Sequence, residues 1–247
     1  MPKIYLSPST QEANTYVTGS GSEEYNMNLL ADELEPYLYA SGIQFLRNKP
    51  EMTAASSIAQ ANAIGGFDFY LALHSNAAGE GNEGNVRGIL VFYYPTSEAG
   101  HTAAEIFAAN LREIYPLPNL VRTMPTTALG EVRQPHCPAN LIEIGYHDNY
   151  ADALWIENNR EAIAQSLARG LTEILGIPFV YPQAVRAGTV RTSGSPLRLR
   201  TYPSAQGETV ALMPNGASVT IYGSYQGWYV VHYGGLVGYA AAAYIEI

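Results

Sequence analysis

Three polar side chains stand where predicted strands or helices begin or end, and their chemical types could carry out hydrolysis. Glu24 begins a predicted helix, and His74 and Glu143 lie at the ends of apolar runs that predict buried strands. A histidine and a glutamate can form part of a zinc shell, and zinc hydrolases use a second glutamate, free of the metal, as general base. The residues alone leave a structural alternative open, because a glutamate at a helix start complements the helix dipole and a strand-end histidine is often simply hydrogen-bonded.

The elements that must position these residues belong to an α/β domain, which we assign to residues 1–177. Short β-rich runs alternate there with helical stretches, and this predicts a mostly parallel, twisted sheet flanked by helices. Apolar runs at residues 3–6, 68–73 and 140–145 are candidate strands, and leucines at helical spacing predict a helix over residues 24–40. Ligands bind at the carboxyl ends of strands in open α/β sheets, so we expect the three side chains to converge there.

The C-terminal part of the chain follows a different pattern. From residue 188 onwards the helical spacing disappears, and short β-rich runs are separated by Gly, Pro, Ser and Asn. This pattern predicts a small all-β barrel over residues 188–247. Pro178 and Pro182 interrupt the preceding helical pattern, so we assign residues 178–187 as a linker.

Composition and charge exclude several classes of protein. The net charge of −9 and the pI near 5.0 have the wrong sign for a protein that neutralises phosphates, so we expect no nucleic acid partner. No apolar run approaches the length of a membrane span. The single cysteine, Cys137, cannot form an intramolecular disulfide, so packing or a metal must hold the fold. With 47% apolar and 14% charged residues, the chain is not a disordered one.

Four segments of the first domain match, in order, the motifs of a known family. Residues 24–29 resemble Glu-x-x-x-Asn-Leu, and residues 42–47 are similar to Gly-x-x-Val-x-x-Thr-Arg, without the Thr and one residue shorter. Residues 71–77 resemble a strand that ends in Ser-x-His-x-Asn-Ala, and residues 138–149 resemble Pro-Ala-x-Leu-x-Glu-x-Gly-Phe-x-x-Asn. The domain thus resembles the zinc-dependent N-acetylmuramoyl-L-alanine amidases of the type-3 group, which occur in bacterial autolysins and phage endolysins.

The resemblance implies a reaction and a role for each candidate residue. It implies that Glu24 and His74 bind zinc and that Glu143 is catalytic, in a peptidoglycan hydrolase that cleaves the amide bond between N-acetylmuramic acid and L-alanine. Zinc would lower the pKa of a bound water, and Glu143 would accept its proton and pass it to the leaving nitrogen. Arg47 would hold a substrate carboxylate or buttress the site, with a plain structural role equally open.

The sequence departs from the family at one zinc ligand. The first strand of the family normally ends in Pro-Gly-His-Gly, whose histidine binds the metal, but here Thr10 or Gln11 occupies the equivalent place. Neither is a good zinc ligand, because zinc prefers imidazole, thiolate or carboxylate. We expect His147, in a loop that leaves the same edge of the sheet, to complete the zinc shell, with Glu12 as the second candidate. An ordinary loop histidine is the alternative for His147.

Residues 188–247 resemble a bacterial SH3-like (SH3b) domain. The match covers an opening around residues 195–204 and a closing stretch at residues 227–240. We expect Trp228 and Tyr239 in its core, and a stacking surface on three exposed tyrosines, Tyr222, Tyr225 and Tyr233. The resemblance implies that the domain binds peptidoglycan, whereas a rigid spacer is the alternative.

Three hypotheses for the whole chain follow. The first is a cell-wall amidase that a wall-binding module delivers to its insoluble polymer. The second is a catalytically inactive wall-binding protein, because the first zinc-ligand histidine is missing. The third, ranked last, is a cysteine peptidase that uses Cys137, which lacks a helix N-terminus to lower its thiol pKa. Action at the cell wall or outside the cell is expected, and export would need a holin or another route unless the sequence is truncated, because the first residues lack signal-peptide features.

Overall fold

The computed structural model describes residues 1–247, which form two compact units. The sheet unit comprises Ile4–Leu34 and Phe45–Ile174. The barrel unit comprises Met1–Lys3, Glu35–Gln44 and Leu175–Ile247. Residues 178–187, which the sequence assigns to a linker, fall within the barrel unit.

A six-stranded mixed sheet organises the sheet unit, with the strand order β2-β1-β3-β6-β4-β5. Its strands are β1 (Lys3–Pro8), β2 (Gln44–Arg47), β3 (Phe69–Asn76), β4 (Ile89–Tyr93), β5 (Val121–Pro125) and β6 (Ala139–Tyr146). The neighbours β1, β3 and β6 run parallel, and β4 is antiparallel to β6 but parallel to β5. The predicted α/β class is confirmed. Because the adjacent central strands β1, β3 and β6 are parallel, their carboxyl ends lie side by side at the same end of the sheet.

Six α-helices and a short 3₁₀ turn at Pro118–Leu120 accompany the sheet. The helices are α1 (Glu23–Ser41), α2 (Ala54–Ile64), α3 (Glu98–Arg112), α4 (Gly130–Arg133), α5 (Tyr150–Asn158) and α6 (Arg160–Leu175). The helices α5 and α6 are separate because the chain leaves helical geometry between them at Asn159, at φ −127° and ψ 20°. None of the helices combines the length and the hydropathy that a membrane span requires.

Two apolar contacts illustrate how the sheet unit is held together. On one face of the sheet, the rings of Tyr5 and Tyr70 stack with their centroids 5.0 Å apart, in a cluster that also contains Ile58 of α2. Elsewhere, α6 carries Gly170 where a Cβ atom would lie only 2.7 Å from Phe107 of α3. The glycine therefore permits a close approach that a larger residue would block.

Seven antiparallel strands form the sheet of the barrel unit, in the order β13-β7-β10-β11-β12-β8-β9. They are β7 (Arg186–Val190), β8 (Leu197–Arg200), β9 (Thr209–Met213), β10 (Ser218–Tyr225), β11 (Trp228–Tyr233), β12 (Leu236–Ala241) and β13 (Ile245–Glu246). Tyr239 is fully buried, as predicted, and its hydroxyl donates a hydrogen bond to the Ser41 carbonyl at 2.7 Å. Trp228 is only partly buried. The three tyrosines expected to be exposed are partly buried too, and Tyr222 stacks on Tyr39.

Candidate active site

His74 lies at the carboxyl end of β3, and carboxylates engage both of its ring nitrogens. Nδ1 lies 2.9 Å from Glu23 Oε1, and Nε2 lies 2.9 Å from Glu131 Oε2. All three side chains are buried. Burial opposes the charged form of the ring, but the hydrogen bonds to Glu131 and Glu23 outweigh it and raise the pKa of His74 to about 10. Without a metal, the three side chains form a carboxylate–imidazolium–carboxylate triad.

Glu23 is placed by the first turn of α1 and by the loop before it. Its Oε2 accepts a hydrogen bond from Asn14 Nδ2 at 2.7 Å, and its Oε1 accepts one from the Ser75 amide at 3.3 Å. Burial would raise the pKa of this carboxyl, but the hydrogen bond from His74 holds it below its usual value. The buried and paired Glu23 is thus the carboxylate that α1 presents to His74.

The structure does not bring Glu24, the expected ligand, to His74. Its side chain is partly exposed, and Glu24 Oε1 accepts only a long hydrogen bond, 3.4 Å, from Asn28 Nδ2. Successive helical residues are rotated by about 100°, because a turn holds 3.6 residues, so neighbouring glutamates point in different directions. The sequence motif identified the start of α1, but in the structure the adjacent Glu23, and not Glu24, contacts His74.

Glu131 is a site residue that the sequence analysis missed. It lies on α4, a helix of four residues, and it contacts Nε2 of His74, whereas Glu23 contacts Nδ1. Its other oxygen, Oε1, accepts hydrogen bonds from Ser7 Oγ at 2.7 Å and from the Tyr70 hydroxyl at 2.8 Å. Burial would raise its pKa, and the hydrogen bond from His74 lowers it. No spacing or motif around residue 131 marks this glutamate in advance.

Glu143 faces the triad from the neighbouring strand, as the sequence predicts. In the parallel register of β3 and β6, Glu143 pairs directly with His74. Its Oε2 is buried and has no hydrogen-bond partner. Burial raises the pKa of Glu143 to about 7, while the nearby His74 lowers it and Glu23 and Glu131 raise it. An unpaired carboxylate oxygen whose pKa lies near neutrality is suited to accept and return a proton.

A cavity of about 290 Å³ opens onto these groups. His74, Glu131 and Glu143 form its polar side together with Gln11 and Gln134. The remaining wall is mostly small or apolar and consists of Ala54, Ala55, Ile58, Leu129, Gly130 and Leu141. The titratable groups therefore lie in the wall of a cavity that could bind a substrate, at the carboxyl ends of β3 and β6.

Gln11 stands closest to the place of the family's missing histidine. Its Nε2 lies 3.4 Å from His74 Nδ1, and its Oε1 accepts a hydrogen bond from Asn14 Nδ2 at 3.0 Å. Thr10 lines a second cavity that also reaches His74. Glu12, the other candidate for this place, is exposed.

His147 is not brought to His74. Its ring is buried, its Nδ1 lies 2.8 Å from the Ser75 carbonyl oxygen and 3.2 Å from Ser75 Oγ, and it stacks on Tyr16 with centroids 5.7 Å apart. It lines neither of the cavities that contain His74. These contacts assign His147 to the packing of its loop rather than to the site.

Arg47 and Cys137 also lie away from the cavities. Arg47 binds α1, through Asp32 Oδ1 at 2.6 Å and Asn28 Oδ1 at 2.7 Å, so it ties β2 to the helix. Cys137 packs against the apolar cluster of Tyr5 and Tyr70, and burial raises the pKa of its thiol to about 11. A thiol with a raised pKa is a poor nucleophile at neutral pH, which disfavours the cysteine peptidase hypothesis.

The side chains around His74 Nδ1 supply two zinc donors but do not complete a zinc shell. Two ligands of a tetrahedral zinc lie about 3.3 Å apart when each bond measures about 2.0–2.1 Å. Glu23 Oε1 and the Gln11 amide lie 2.9 and 3.4 Å from His74 Nδ1, close to that separation. Glutamate and histidine are ordinary zinc ligands, but the Gln11 atom beside His74 is the amide nitrogen, which has no free lone pair for a metal. Among His, Cys, Asp and Glu alone, no group of three is arranged to hold a metal.

Two family models match the chain. A model of the N-acetylmuramoyl-L-alanine amidases matches residues 9–173, and a model of the bacterial SH3 domain matches residues 195–246. The first match covers more than half of the chain and contains every residue of the triad as well as Glu143.

Solved structures share the fold of the first match. N-acetylmuramoyl-L-alanine amidase AmiC2 of Nostoc punctiforme is 16% identical, with a TM-score of 0.60 over 71% of this chain and 97% of that chain. The catalytic domain of the amidase CwlV from Bacillus (Paenibacillus) polymyxa var. colistinus is 17% identical, with a TM-score of 0.61 over 72% and 100%. The catalytic domain of the CD27L endolysin, which targets Clostridia difficile, is 21% identical, with a TM-score of 0.56 over 70% and 98%. No curated protein matches the chain significantly.

Proposed function

Since the chain belongs to the N-acetylmuramoyl-L-alanine amidase family, we propose that it hydrolyses its substrate at the His74 site, with zinc as cofactor and Glu143 as general base. The family's reaction is cleavage of the amide bond between N-acetylmuramic acid and L-alanine in peptidoglycan. One observation carries the assignment of the site: Glu143 Oε2 is buried without a partner beside His74, in a cavity.

Glu23 and His74 are the residues that would hold zinc, and the chain offers them no third His, Cys, Asp or Glu side chain arranged to bind the ion. When bound, zinc supplies a water of lowered pKa and polarises the substrate carbonyl. Glu23 and His74 would come from α1 and β3, two rigid elements, so their separation is fixed by the fold.

Glu143 handles the proton in the proposed reaction. Its Oε2 takes a proton from the attacking water and later delivers it to the nitrogen of the leaving L-alanine. The strand β6 holds this carboxylate opposite His74, and burial keeps its pKa near neutrality in the metal-free protein. The small side chains of Ala54 and Ala55 leave room beside it for the lactyl and alanine methyl groups.

The barrel unit is proposed to hold the enzyme on the wall. A cavity of about 370 Å³ in this unit is lined by Trp228, Tyr244, Arg198 and Arg200, among others. Aromatic faces and guanidinium groups suit peptides that carry carboxylates, such as peptidoglycan stems. Tethering would raise the concentration of the sheet unit at an insoluble polymer. In the full chain, Trp228→Ala should reduce co-sedimentation with purified walls, and unchanged co-sedimentation would argue for the spacer alternative.

A second candidate function is wall binding without hydrolysis. It is favoured by one observation, the absence of any group of three His, Cys, Asp or Glu side chains arranged to hold a metal ion. Under this hypothesis the triad is a buried ion cluster that replaces the metal. The two candidates differ in metal content and in reaction products.

Digestion of purified cell walls distinguishes them. We expect the zinc-loaded protein to release new N-terminal L-alanine groups, and a chelator to stop the release until zinc is added back. No new termini, together with retained wall binding, would favour the second candidate. New termini of another amino acid would indicate a peptidase, and new reducing sugar ends would indicate a glycosidase. Either of these results would reject the proposed bond.

A further inference from the structure

The cavity of about 370 Å³ in the barrel unit has two arginines in its wall. Arg198 and Arg200 stand two residues apart on β8, so their side chains leave the same face of the strand. Leu199, between them, points to the other face and is buried in the apolar core of the unit. The alternation along β8 therefore directs both guanidinium groups to the cavity.

Both guanidinium groups have unused hydrogen-bond donors. The side chain of Arg198 is exposed and has neither a hydrogen-bond partner nor a carboxylate partner. Arg200 donates one hydrogen bond, from Nη1 to the Gly207 carbonyl at 2.6 Å, which holds the group in place and leaves its other donors free. By contrast, Arg191 of the same unit is paired with Glu246 at 2.7 Å. No Asp or Glu lines the cavity, so its wall does not balance the two positive charges.

The apolar part of the wall selects among anions. Trp228 of β11 pairs with Ala241 of β12, and both line the cavity together with Pro196 and Leu197. An indole face and small apolar side chains favour a ligand that carries methyl groups next to its charge. A planar carboxylate matches the fork of a guanidinium group. Ligand pockets span about 300–1,000 Å³, so a cavity of about 370 Å³ suits one or two small residues rather than a long chain.

We propose that this cavity binds the free C-terminal carboxylate of a short peptide with alanine-sized side chains, with Arg198 and Arg200 on the carboxylate and Trp228 against the methyl groups. The proposal rests on the proposed function, since it names the ligand by which the barrel unit would hold the wall. Stem peptides of peptidoglycan offer this chemistry only where they are not cross-linked, because a cross-link converts the carboxyl end of a stem into an amide. The barrel unit would therefore direct the enzyme to regions of the wall with few cross-links.

Titration of the ¹⁵N-labelled full chain with two peptides tests the proposal. N-acetyl-D-alanyl-D-alanine carries the carboxylate, and its C-terminal amide lacks only that charge. The chain has two tryptophans, so the indole N–H signal of Trp228 reports on the cavity, and that of Trp155, on α5 of the sheet unit, serves as an internal reference. We expect the acid to shift the Trp228 signal and to bind about tenfold more tightly than the amide, because the amide loses its charge-assisted hydrogen bonds.

Arg198 and Arg191 provide matched variants. Arg198→Gln and Arg191→Gln remove the same charge from the same unit, but Arg191 does not line the cavity, and its ion pair with Glu246 is exposed. We expect Arg198→Gln to weaken binding of the acid about three- to fivefold, the effect of a solvent-accessible ion pair, and Arg191→Gln to leave it unchanged. An equal loss in both variants would show a general effect of net charge and would overturn the proposal.

Two further results would overturn it. One is an acid that binds no more tightly than its amide, or not at all. The other is glycerol phosphate that binds as tightly as the acid, because this probe has the charge without a methyl group and would assign the cavity to phosphate polymers of the wall. Co-sedimentation with walls separates the proposal from the proposed function. Loss of co-sedimentation in Trp228→Ala, with equal binding of acid and amide, would leave wall binding standing while the carboxylate preference fails. Selective binding of the acid by a protein that does not co-sediment with walls would give the opposite conclusion.

Discussion

Replacement of Glu143 by glutamine should separate the stability of the sheet unit from its activity. The carboxylate is held by β6 beside His74, and its Oε2 is buried without a hydrogen-bond partner. Its pKa rises from 4.5 to about 7 on folding. An acid whose pKa is raised in the folded state costs stability once the pH exceeds its unfolded pKa, and the full cost is reached above its folded pKa. The glutamine variant removes this cost.

The magnitude follows from the pKa. A rise from 4.5 to about 7 corresponds to about 3 kcal/mol at pH 8, at about 1.4 kcal/mol for each pH unit. The new amide group would be buried with unsatisfied hydrogen-bond donors, and this would lower the free energy of unfolding by about 1–3 kcal/mol. We therefore expect the free energy of unfolding of metal-free Glu143→Gln to equal or exceed that of the wild type at pH 8. At pH 4.5, where the wild-type carboxyl is mostly protonated, the advantage should vanish.

Activity should move in the opposite direction. Loss of a general base lowers turnover by about 10²- to 10⁴-fold. The assay pairs urea unfolding of chelator-treated protein at both pH values with release of L-alanine termini from walls by the zinc-loaded protein. Turnover within about tenfold of wild type would refute the role of Glu143, because so small a loss is less than a positioned general base contributes. A variant that unfolds more easily at pH 8 would refute the account of its buried charge.

Three further predictions concern the same unit. Glu23→Gln should abolish stoichiometric zinc in elemental analysis while Glu24→Gln retains it, and the reverse result would restore the sequence-based choice of ligand. The His74 imidazolium should stabilise the metal-free protein fully below pH 6.5 and lose this contribution as the pH rises through about 10, so the melting temperature should fall over that range more steeply than in His74→Gln. Gly170→Ala places a Cβ atom 2.7 Å from Phe107, so it should cost about 1–3 kcal/mol in urea unfolding, and an unchanged midpoint would contradict the tight packing.

The sequence predicted those parts of the site that follow from strand ends. His74 and Glu143 each close an apolar run, and parallel pairing of β3 with β6 aligns them side by side. The order of motifs also placed the start of α1 at the same edge. Such features depend on local periodicity and on a general rule of parallel sheets, so a single sequence contains the information.

The structure departs from the sequence-based expectations where side-chain orientation or contacts distant in sequence determine which residues reach His74. Glu23 and Glu24 differ by one helical step, and the boundary of a helix is uncertain by at least one residue from sequence alone. Glu131 meets His74 across 57 residues of sequence, from a helix too short to show a period. His147 follows β6 at the correct edge, but the register of β3 and β6 shifts between His74 and Asn76, and its ring turns to Ser75 and Tyr16.

The site places three carboxyl groups around one histidine, and the charges of these four groups depend on one another. Glu23, Glu131 and Glu143 supply three carboxyl groups, and the positive charge of His74 lowers the pKa of each of them. In the metal-free protein, the balance is kept by a protonated His74 and a Glu143 whose pKa lies near neutrality. Metal binding through His74 Nδ1 would require that nitrogen to be free of its proton, so Glu23 and His74 would hold an ion less tightly as the pH falls.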